Sequence, residues 1–310
     1  MLLWVPEGTD AQYLSDLPDT IELGYLPSAK RDLPPDAARV EFLIAPWIKD
    51  PDLFADQLRQ MTSLKVIQCY SAGVDRLARF IPPGVTLCNG RGLHDSAVSE
   101  WIVGAILAHY NKFAAYFRLK EEGKWDSIDT DTVEGSTVAI LGYGSIGKAV
   151  ASRLAPFGIT IERIARTQRI APDGAKIYGL ANASDVLATT NVLVNILPLT
   201  PETKSLVNRE LLAKLPDHAL IINAGRGGTV DTDALIEELS SGRLFAFLDT
   251  TEPEPIPAGH RLWTTKNLSL TQHSSGNSTD YLKKVYPFIH EQLRRYVAAE
   301  PLANIVTGDY

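Results

Sequence analysis

The chain has 310 residues, 45% of them hydrophobic, with 37 acidic against 30 basic side chains and a formal net charge of −7. That length suggests two folding units, and the acidic balance excludes the basic footprint of a nucleic-acid-binding protein. Two cysteines, Cys69 and Cys88, are too few for a disulfide framework or a zinc site, and both read as reduced, buried thiols.

In chain order, Met1-Leu-Leu-Trp-Val-Pro6 lacks the basic region and the length of a signal peptide. No later run reaches the roughly 18 apolar residues of a membrane span, so a cytoplasmic protein without membrane contact is expected. Val40-Glu-Phe-Leu-Ile-Ala45, Leu64-Lys-Val-Ile-Gln-Cys69 and Val85-Thr-Leu-Cys88 read as strands of a small α/β domain punctuated by Pro34-Pro35 and Pro82-Pro83-Gly84. The pattern from Ser96 to Glu122 predicts one long helix, apolar on more than one face and therefore buried between domains or subunits.

Next come the strand Thr137-Val-Ala-Ile-Leu141, the turn Gly142-Tyr-Gly144-Ser145-Ile146-Gly147, a helix over Lys148 to Leu154 and a second strand over Ile159 to Ala165. Strand before and helix after turn a weak glycine triplet into a dinucleotide-binding βαβ unit. Gly142 permits the tight turn, Gly144 admits a pyrophosphate close to the backbone, and Gly147 lets the helix pack on the strand, with Ser145 and Ile146 opening that helix. An NAD site usually ends the second strand in Asp or Glu, to hold the ribose 2′-hydroxyl. Here Ala165 is followed by Arg166-Thr167-Gln168-Arg169, and the nearest carboxylate, Glu162, lies inside the strand. A guanidinium fork suits a 2′-phosphate, so NADP is expected in preference to NAD, with Arg166, Thr167 and Arg169 among its contacts.

Strands over Val192 to Leu197, Ala219 to Asn223, Leu244 to Leu248 and Leu268 to Thr271 alternate with helices, as a doubly wound parallel sheet requires. A last amphipathic helix runs from Tyr281 to Tyr296. The four strands end in Asn195-Ile-Leu-Pro198, Asn223-Ala-Gly-Arg226, Asp249-Thr-Thr-Glu-Pro-Glu254 and Thr271-Gln-His273, polar residues where such sheets bind ligands. Alone, Arg226, Glu254 or any of the six histidines reads better as a solvated or packed residue. Their order on successive strand ends of a cofactor sheet reverses that reading for Arg226, Glu254 and His273.

At these residues the chain resembles the D-isomer-specific 2-hydroxyacid dehydrogenases, in the branch of the glyoxylate/hydroxypyruvate reductases. The resemblance rests on Gly142 to Gly147, Leu197-Pro-Leu-Thr-Pro-Glu-Thr203, Asn223-Ala-Gly-Arg-Gly-Gly228 with Val230-Asp231, Asp249 to Pro255, His273 to Gly276, and Tyr70-Ser-Ala-Gly73-Val74-Asp75. It implies a Rossmann domain over residues 96–276 and a smaller, discontinuous, flavodoxin-like substrate domain over 1–95 and 277–310. It also implies reduction of a small 2-keto acid to the D-2-hydroxy acid. Arg226 would bind the substrate carboxylate and polarise the ketone, His273 would be the general acid, and Glu254 would orient it and favour its protonated form. Leu197, Pro198, Thr203, Ala224, Asp249, Ser275 and Gly276 would contact the cofactor, and Ala72, Gly73 and Val74 would hold the substrate. Tyr70, Arg91 and His94 would shape the pocket. A homodimer is implied, in which Trp125 reaches the partner's active site. No metal is called for.

The chain departs from the family pattern at Gln272, where a proline usually precedes the histidine. Two other readings share the fold: a catalytically silent nucleotide sensor of the corepressor kind, and a phosphite or formate dehydrogenase. The formate branch carries Gln where this chain has Glu254.

Overall fold

The computed structural model describes residues 1–48 and 50–307 and divides the chain into two units. The first comprises Met1–His94 and the segment from Ser278 onward; the second is Asp95–Asn277.

In the first unit, β1 (Leu2–Pro6), β2 (Glu22–Leu26), β3 (Val40–Ile44), β4 (Val66–Gln68) and β5 (Thr86–Cys88) form a parallel sheet of order β2-β1-β3-β4-β5. This is the flavodoxin-like order. Helix α1 (Pro51–Gln60) starts at Asp50, whose side chain accepts from the amides of Asp52 and Leu53. It buries Phe54 and Leu58 among Leu43 and Ile67. Strands β1 and β2 were not anticipated from the sequence, although Leu2, Leu3, Trp4 and Val5 are all buried. Cys69 and Cys88 are free and buried, and burial pushes their pKa values up to about 12 and about 11, leaving unreactive thiols.

The second unit opens with α2 (Asp95–Tyr110) and α3 (Phe113–Glu121) in place of the single long helix expected. The break has a local cause. The Asn111 side chain bonds back to the Leu107 carbonyl at 2.9 Å, and Lys112, paired with Asp131 at 2.9 Å, takes a left-handed φ of 55°. Only α2 is apolar enough to be buried, through Val98, Ile102, Ala105 and Ile106, whereas α3 buries none of its residues. In the last turn of α2 the His109 ring lies 4.9 Å from that of Phe245, and burial pushes its pKa down to about 4.

Eight strands follow: β6 (Thr137–Leu141), β7 (Thr160–Ala165), β8 (Arg169–Ile170), β9 (Lys176–Gly179), β10 (Val192–Asn195), β11 (Leu220–Asn223), β12 (Phe245–Leu248) and β13 (Leu268–Leu270). Their order is β13-β12-β11-β10-β6-β7-β9-β8, parallel except for the terminal β8–β9 pair. The order reverses at β6, the switch point where doubly wound sheets open a crevice for ligands. Burial on both faces explains the near-continuous apolar runs of β10 and β11. Alternate residues serve opposite layers. Leu141, Leu193 and Ile221 pack with Leu235 and Leu239 of α7 (Thr232–Ser240), after the short helices α5 (Ser184–Leu187) and α6 (Arg209–Leu212). Ile140, Val194 and Ile222 pack with Ile102 and Ile106 of α2 and with Val150 of α4 (Ser145–Leu154). The chain then returns to the first unit through α8 (Tyr281–Val297), which buries Val285, Ile289 and Leu293 against Leu3, Phe42 and Val66. Among the described residues no helix is long and apolar enough to cross a membrane, and no cluster of side chains could hold a metal ion.

Candidate active site

The register of the larger sheet places Asn195 beside Asn223 and Asn223 beside Leu248, with Leu248 beside Leu270. The loops after β10, β11, β12 and β13 therefore leave one edge side by side. His273 and Glu254 meet there: His273 Nδ1 lies 2.8 Å from Glu254 Oε1, with side chains 32% and 26% exposed. The contact is thus shielded on one side and open to a small molecule on the other.

The loop beneath His273 is organised by Asp249, only 2% exposed. Asp249 Oδ1 accepts from the Ser274 amide at 2.8 Å and the Thr271 hydroxyl at 2.6 Å, and Oδ2 accepts from the Ser275 amide at 3.0 Å. The His273 amide donates to the Asp249 carbonyl at 2.7 Å, and His273 takes a left-handed φ of 49°. Such a conformation persists only where the surroundings enforce it.

Arg226 extends from the loop after β11, its Nη1 donating to the Gly225 carbonyl at 2.9 Å. Its own carbonyl accepts from Asn223 Nδ2 at 3.3 Å and Thr229 Oγ1 at 2.6 Å. Asn195 Nδ2 donates in turn to Asn223 Oδ1 at 3.1 Å and to Thr229 Oγ1 at 2.7 Å. The residues flanking Arg226 have no room for side chains. A Cβ on Gly225 would stand 2.6 Å from the Leu197 carbonyl oxygen, and one on Gly227 would stand 1.9 Å from that of Thr251. The strand-end residues Asn195, Asn223 and Asp249, which the sequence offers as ligand-facing, spend their side chains on the scaffold. Asn195, Asn223 and Thr229 are a buried brace for Arg226; the sequence reading named the two asparagines only as strand-end polar residues, and Thr229 not at all.

At the switch point, Gly142 (φ 109°) turns the chain out of β6 into α4, with Ser145 and Ile146 opening the helix. A Cβ on Gly147 would stand 2.7 Å from the Gly142 carbonyl oxygen, whereas one on Gly144 would meet nothing within 4 Å. Gly144 caps α4 without a side chain. There is thus room at the N-cap of α4, whose first amides have no partner within the helix, which fits the pyrophosphate of a dinucleotide. The Ser145 hydroxyl bonds the Asp95 carboxylate. Ala165 ends β7 with no carboxylate on it, Glu162 is half-buried within the strand, and Arg166, Thr167 and Arg169 are exposed. The Thr203 hydroxyl donates to the Pro198 carbonyl at 2.6 Å and shapes the loop between Leu197 and Thr203. Ala224 and Gly276 follow β11 and β13 on the same edge.

In the first unit the loop after β4 is held by its carbonyls. Tyr70 O accepts from the Tyr281 hydroxyl at 3.0 Å, Ser71 O from the Gly90 amide at 2.8 Å, Ala72 O from Asn89 Nδ2 at 2.9 Å and Gly73 O from the Ser71 hydroxyl at 2.8 Å. Burial raises the Tyr70 pKa above its ordinary value. His94 stacks on Tyr281 at 4.7 Å, Arg91 Nη2 donates to Asn304 Oδ1 at 3.1 Å, and Trp125, in the second unit, is fully exposed.

The family model for the D-isomer specific 2-hydroxyacid dehydrogenase NAD binding domain matches residues 103–275. The chain belongs to that family. It is therefore an oxidoreductase with an NAD(P)-binding domain that acts on small hydroxy or keto acids. Glyoxylate/hydroxypyruvate reductase A of Klebsiella pneumoniae (strain 342) is 29% identical over 81% of this chain and 82% of its own. A D-isomer specific 2-hydroxyacid dehydrogenase of Xanthobacter autotrophicus Py2, solved with NADPH and MES, superposes with a TM-score of 0.85 at 30% identity, covering 99% of this chain and 97% of its own. The NADPH-dependent glyoxylate/hydroxypyruvate reductase of Sinorhizobium meliloti, solved with NADP and sulfate, gives 0.83 at 28% identity over 98% of both chains.

Proposed function

We propose that this dehydrogenase reduces a small 2-keto acid of the glyoxylate or hydroxypyruvate type to the D-2-hydroxy acid, with NADPH as the preferred cofactor and NADH a weaker one. The observation that carries the chemistry is the 2.8 Å contact between His273 Nδ1 and Glu254 Oε1. A carboxylate at Nδ1 fixes that nitrogen as a protonated one and turns Nε2 toward the substrate. His273 then gives its Nε2 proton to the carbonyl oxygen, while Arg226 holds the carboxylate and draws charge onto that oxygen. For the first unit we propose that the amides of Ala72, Gly73 and Val74 are substrate-binding.

The bound nicotinamide supplies the hydride. The N-terminus of α4 with Gly142, Gly144, Ser145, Ile146 and Gly147 would hold its pyrophosphate, and Arg166, Thr167 and Arg169 its 2′-phosphate. Leu197, Pro198, Thr203, Ala224 and Gly276 would line the rest of the dinucleotide site, with Asp249 and Ser275 acting through the loop they organise. Phe113, Phe117 and Trp125, exposed at 47%, 64% and 102%, support a homodimer with Trp125 extended toward the second copy. Sedimentation at micromolar concentration checks the dimer, and a monomer would refute it.

A panel of keto acids with NADPH and with NADH tests the function. We expect glyoxylate and hydroxypyruvate to be reduced, a higher kcat/KM with NADPH than with NADH, and D-glycerate from hydroxypyruvate. Equal use of NADH would refute the role of Arg166, an L-product would overturn the stereochemistry, and absence of turnover would favour a silent sensor. Arg226→Lys, which loses the bidentate fork, should raise KM and lower kcat together.

A further inference from the structure

The larger sheet continues past its dinucleotide-binding core into β9 and β8. Strand β9 lies between β7 and β8, so Ile177 has Arg163 beside it on one side and Arg169 on the other. Residues Arg166 to Gln168 must therefore arch over the end of β9. They do so above Gly179, where an added Cβ would stand 3.4 Å from the Gln168 amide nitrogen. Asn182 Nδ2 steadies the arch by donating to Gln168 Oε1 at 3.0 Å. Beyond β8 the chain turns at Gly174 (φ 80°), closed by the Ala171 amide donating to the Ala175 carbonyl at 2.8 Å.

Asp173, at the tip of that turn, reaches back to β7. Arg163 Nη1 donates to both Asp173 oxygens, at 2.9 and 2.7 Å, and Asp173 Oδ1 also accepts from the Ala175 amide at 3.2 Å. The pair spans ten positions and closes a ring of chain with Arg166, Thr167 and Arg169 in its middle. Closing such a loop removes conformations that the arch could otherwise visit. Arg163 has a second attachment. Its guanidinium lies over the ring of Tyr143, 5.1 Å from the centroid, and Tyr143 is the residue between Gly142 and Gly144. The Arg163 side chain is only 15% exposed, whereas that of Asp173 is 57% exposed. Arg163 Nε is buried without a partner, a cost that an apolar side chain filling the same place would avoid.

We infer that Arg163 and Asp173 are positioning residues, a clasp that sets the Arg166–Arg169 arch against the glycine turn and so fixes the spacing at which the 2′-phosphate and the pyrophosphate are gripped. The inference rests on the NADP reading of Arg166. Neither residue has to touch the dinucleotide, because Arg163 acts through Tyr143 and Asp173 through the closed ring.

The test compares 2′,5′-ADP with 5′-AMP, the same fragment with and without the 2′-phosphate, binding to the full chain by calorimetry. Asp173→Asn keeps the shape of the side chain and removes its charge, and Arg163→Lys keeps the charge and removes the fork. Both variants are expected to bind 2′,5′-ADP about three- to tenfold more weakly, a fraction of a charge-assisted hydrogen bond, and to bind 5′-AMP as the wild type does. If both variants keep the wild-type preference, or lose affinity for the two nucleotides equally, the clasp is refuted while the NADP reading stands. A wild type that binds both nucleotides equally refutes the NADP reading and the clasp with it.

Discussion

The loops that bring Glu254 to His273 are built around a buried carboxylate, whereas the arch carrying Arg166 and Arg169 is exposed throughout and leans on one ion pair. Both leave the same sheet. Asp249 satisfies two amides and a hydroxyl at 2% exposure, and each of those donors would otherwise be stranded near the core. Asp173 does comparable work at 57% side-chain exposure, in a hairpin at the end of the sheet. A proton donor has to stand within fractions of an ångström of its target, so its loop is tied into the folding of the domain. A phosphate is met by long cations at the surface, so its loop can be set by a pair at the end of the sheet rather than by the core.

The sharpest way to break the comparison is His273→Ala. Steady-state kinetics should show kcat lower by about a hundredfold to ten-thousandfold, the usual contribution of a placed general acid, with NADPH affinity nearly intact. An unchanged kcat would remove His273 from the chemistry. Next in size is Asp249→Ala, which strands the Ser274 and Ser275 amides. Urea unfolding should show a loss of about 3 kcal/mol, together with a lower kcat. A variant as stable as the wild type would mean that the rigid loop owes nothing to its carboxylate.

A third prediction moves to the opposite edge of the sheet, where His109 packs on Phe245 at the start of β12. Its pKa is pushed down from 6.5 to about 4, first by burial and then by Lys112. The unfolded chain therefore binds the extra proton first as the pH falls. His109 contributes its stability in full above pH 6.5 and loses it as the pH drops toward 4, by about 3 kcal/mol in all. Unfolding curves across that window should flatten in His109→Gln, and an unchanged slope would contradict this assignment. Smallest is Arg166→Ala, expected to weaken NADPH binding by about 1 to 3 kcal/mol while leaving NADH binding and urea stability unchanged. A loss of stability in this variant would erase the contrast between the two loops.

The sequence made parts of this architecture plain because they are local. A glycine turn between an apolar strand and a helix, and polar residues after continuous apolar runs, announce a doubly wound sheet and its ligand edge without reference to anything distant. Other parts depend on partners far along the chain. Strand β1 is too short to distinguish from any apolar terminus until its pairing with β2 and β3 is seen, and Glu22-Leu-Gly-Tyr-Leu26 is an edge strand with little burial. The β8–β9 hairpin is exposed along β8 and carries almost no apolar signal. The helix break at Lys112 needs Asp131 and the back-bond of Asn111 to be visible. Asn195, Asn223 and Asp249 show the deepest ambiguity. A strand-end carboxylate or amide looks the same in sequence whether it faces a ligand or braces the next loop, and only the donors around it decide.

The bare backbone on either side of Arg226 has a consequence for how this site drifts over time. Main-chain atoms of the neighbouring loops, at Leu197 and Thr251, occupy the places where side chains on Gly225 and Gly227 would stand. The dimensions of the site are therefore set by peptide against peptide, which substitutions elsewhere in the core barely alter. Hydrophobic layers can be repacked through many generations while Arg226 keeps its address, but a single methyl group at either glycine would force the loops apart.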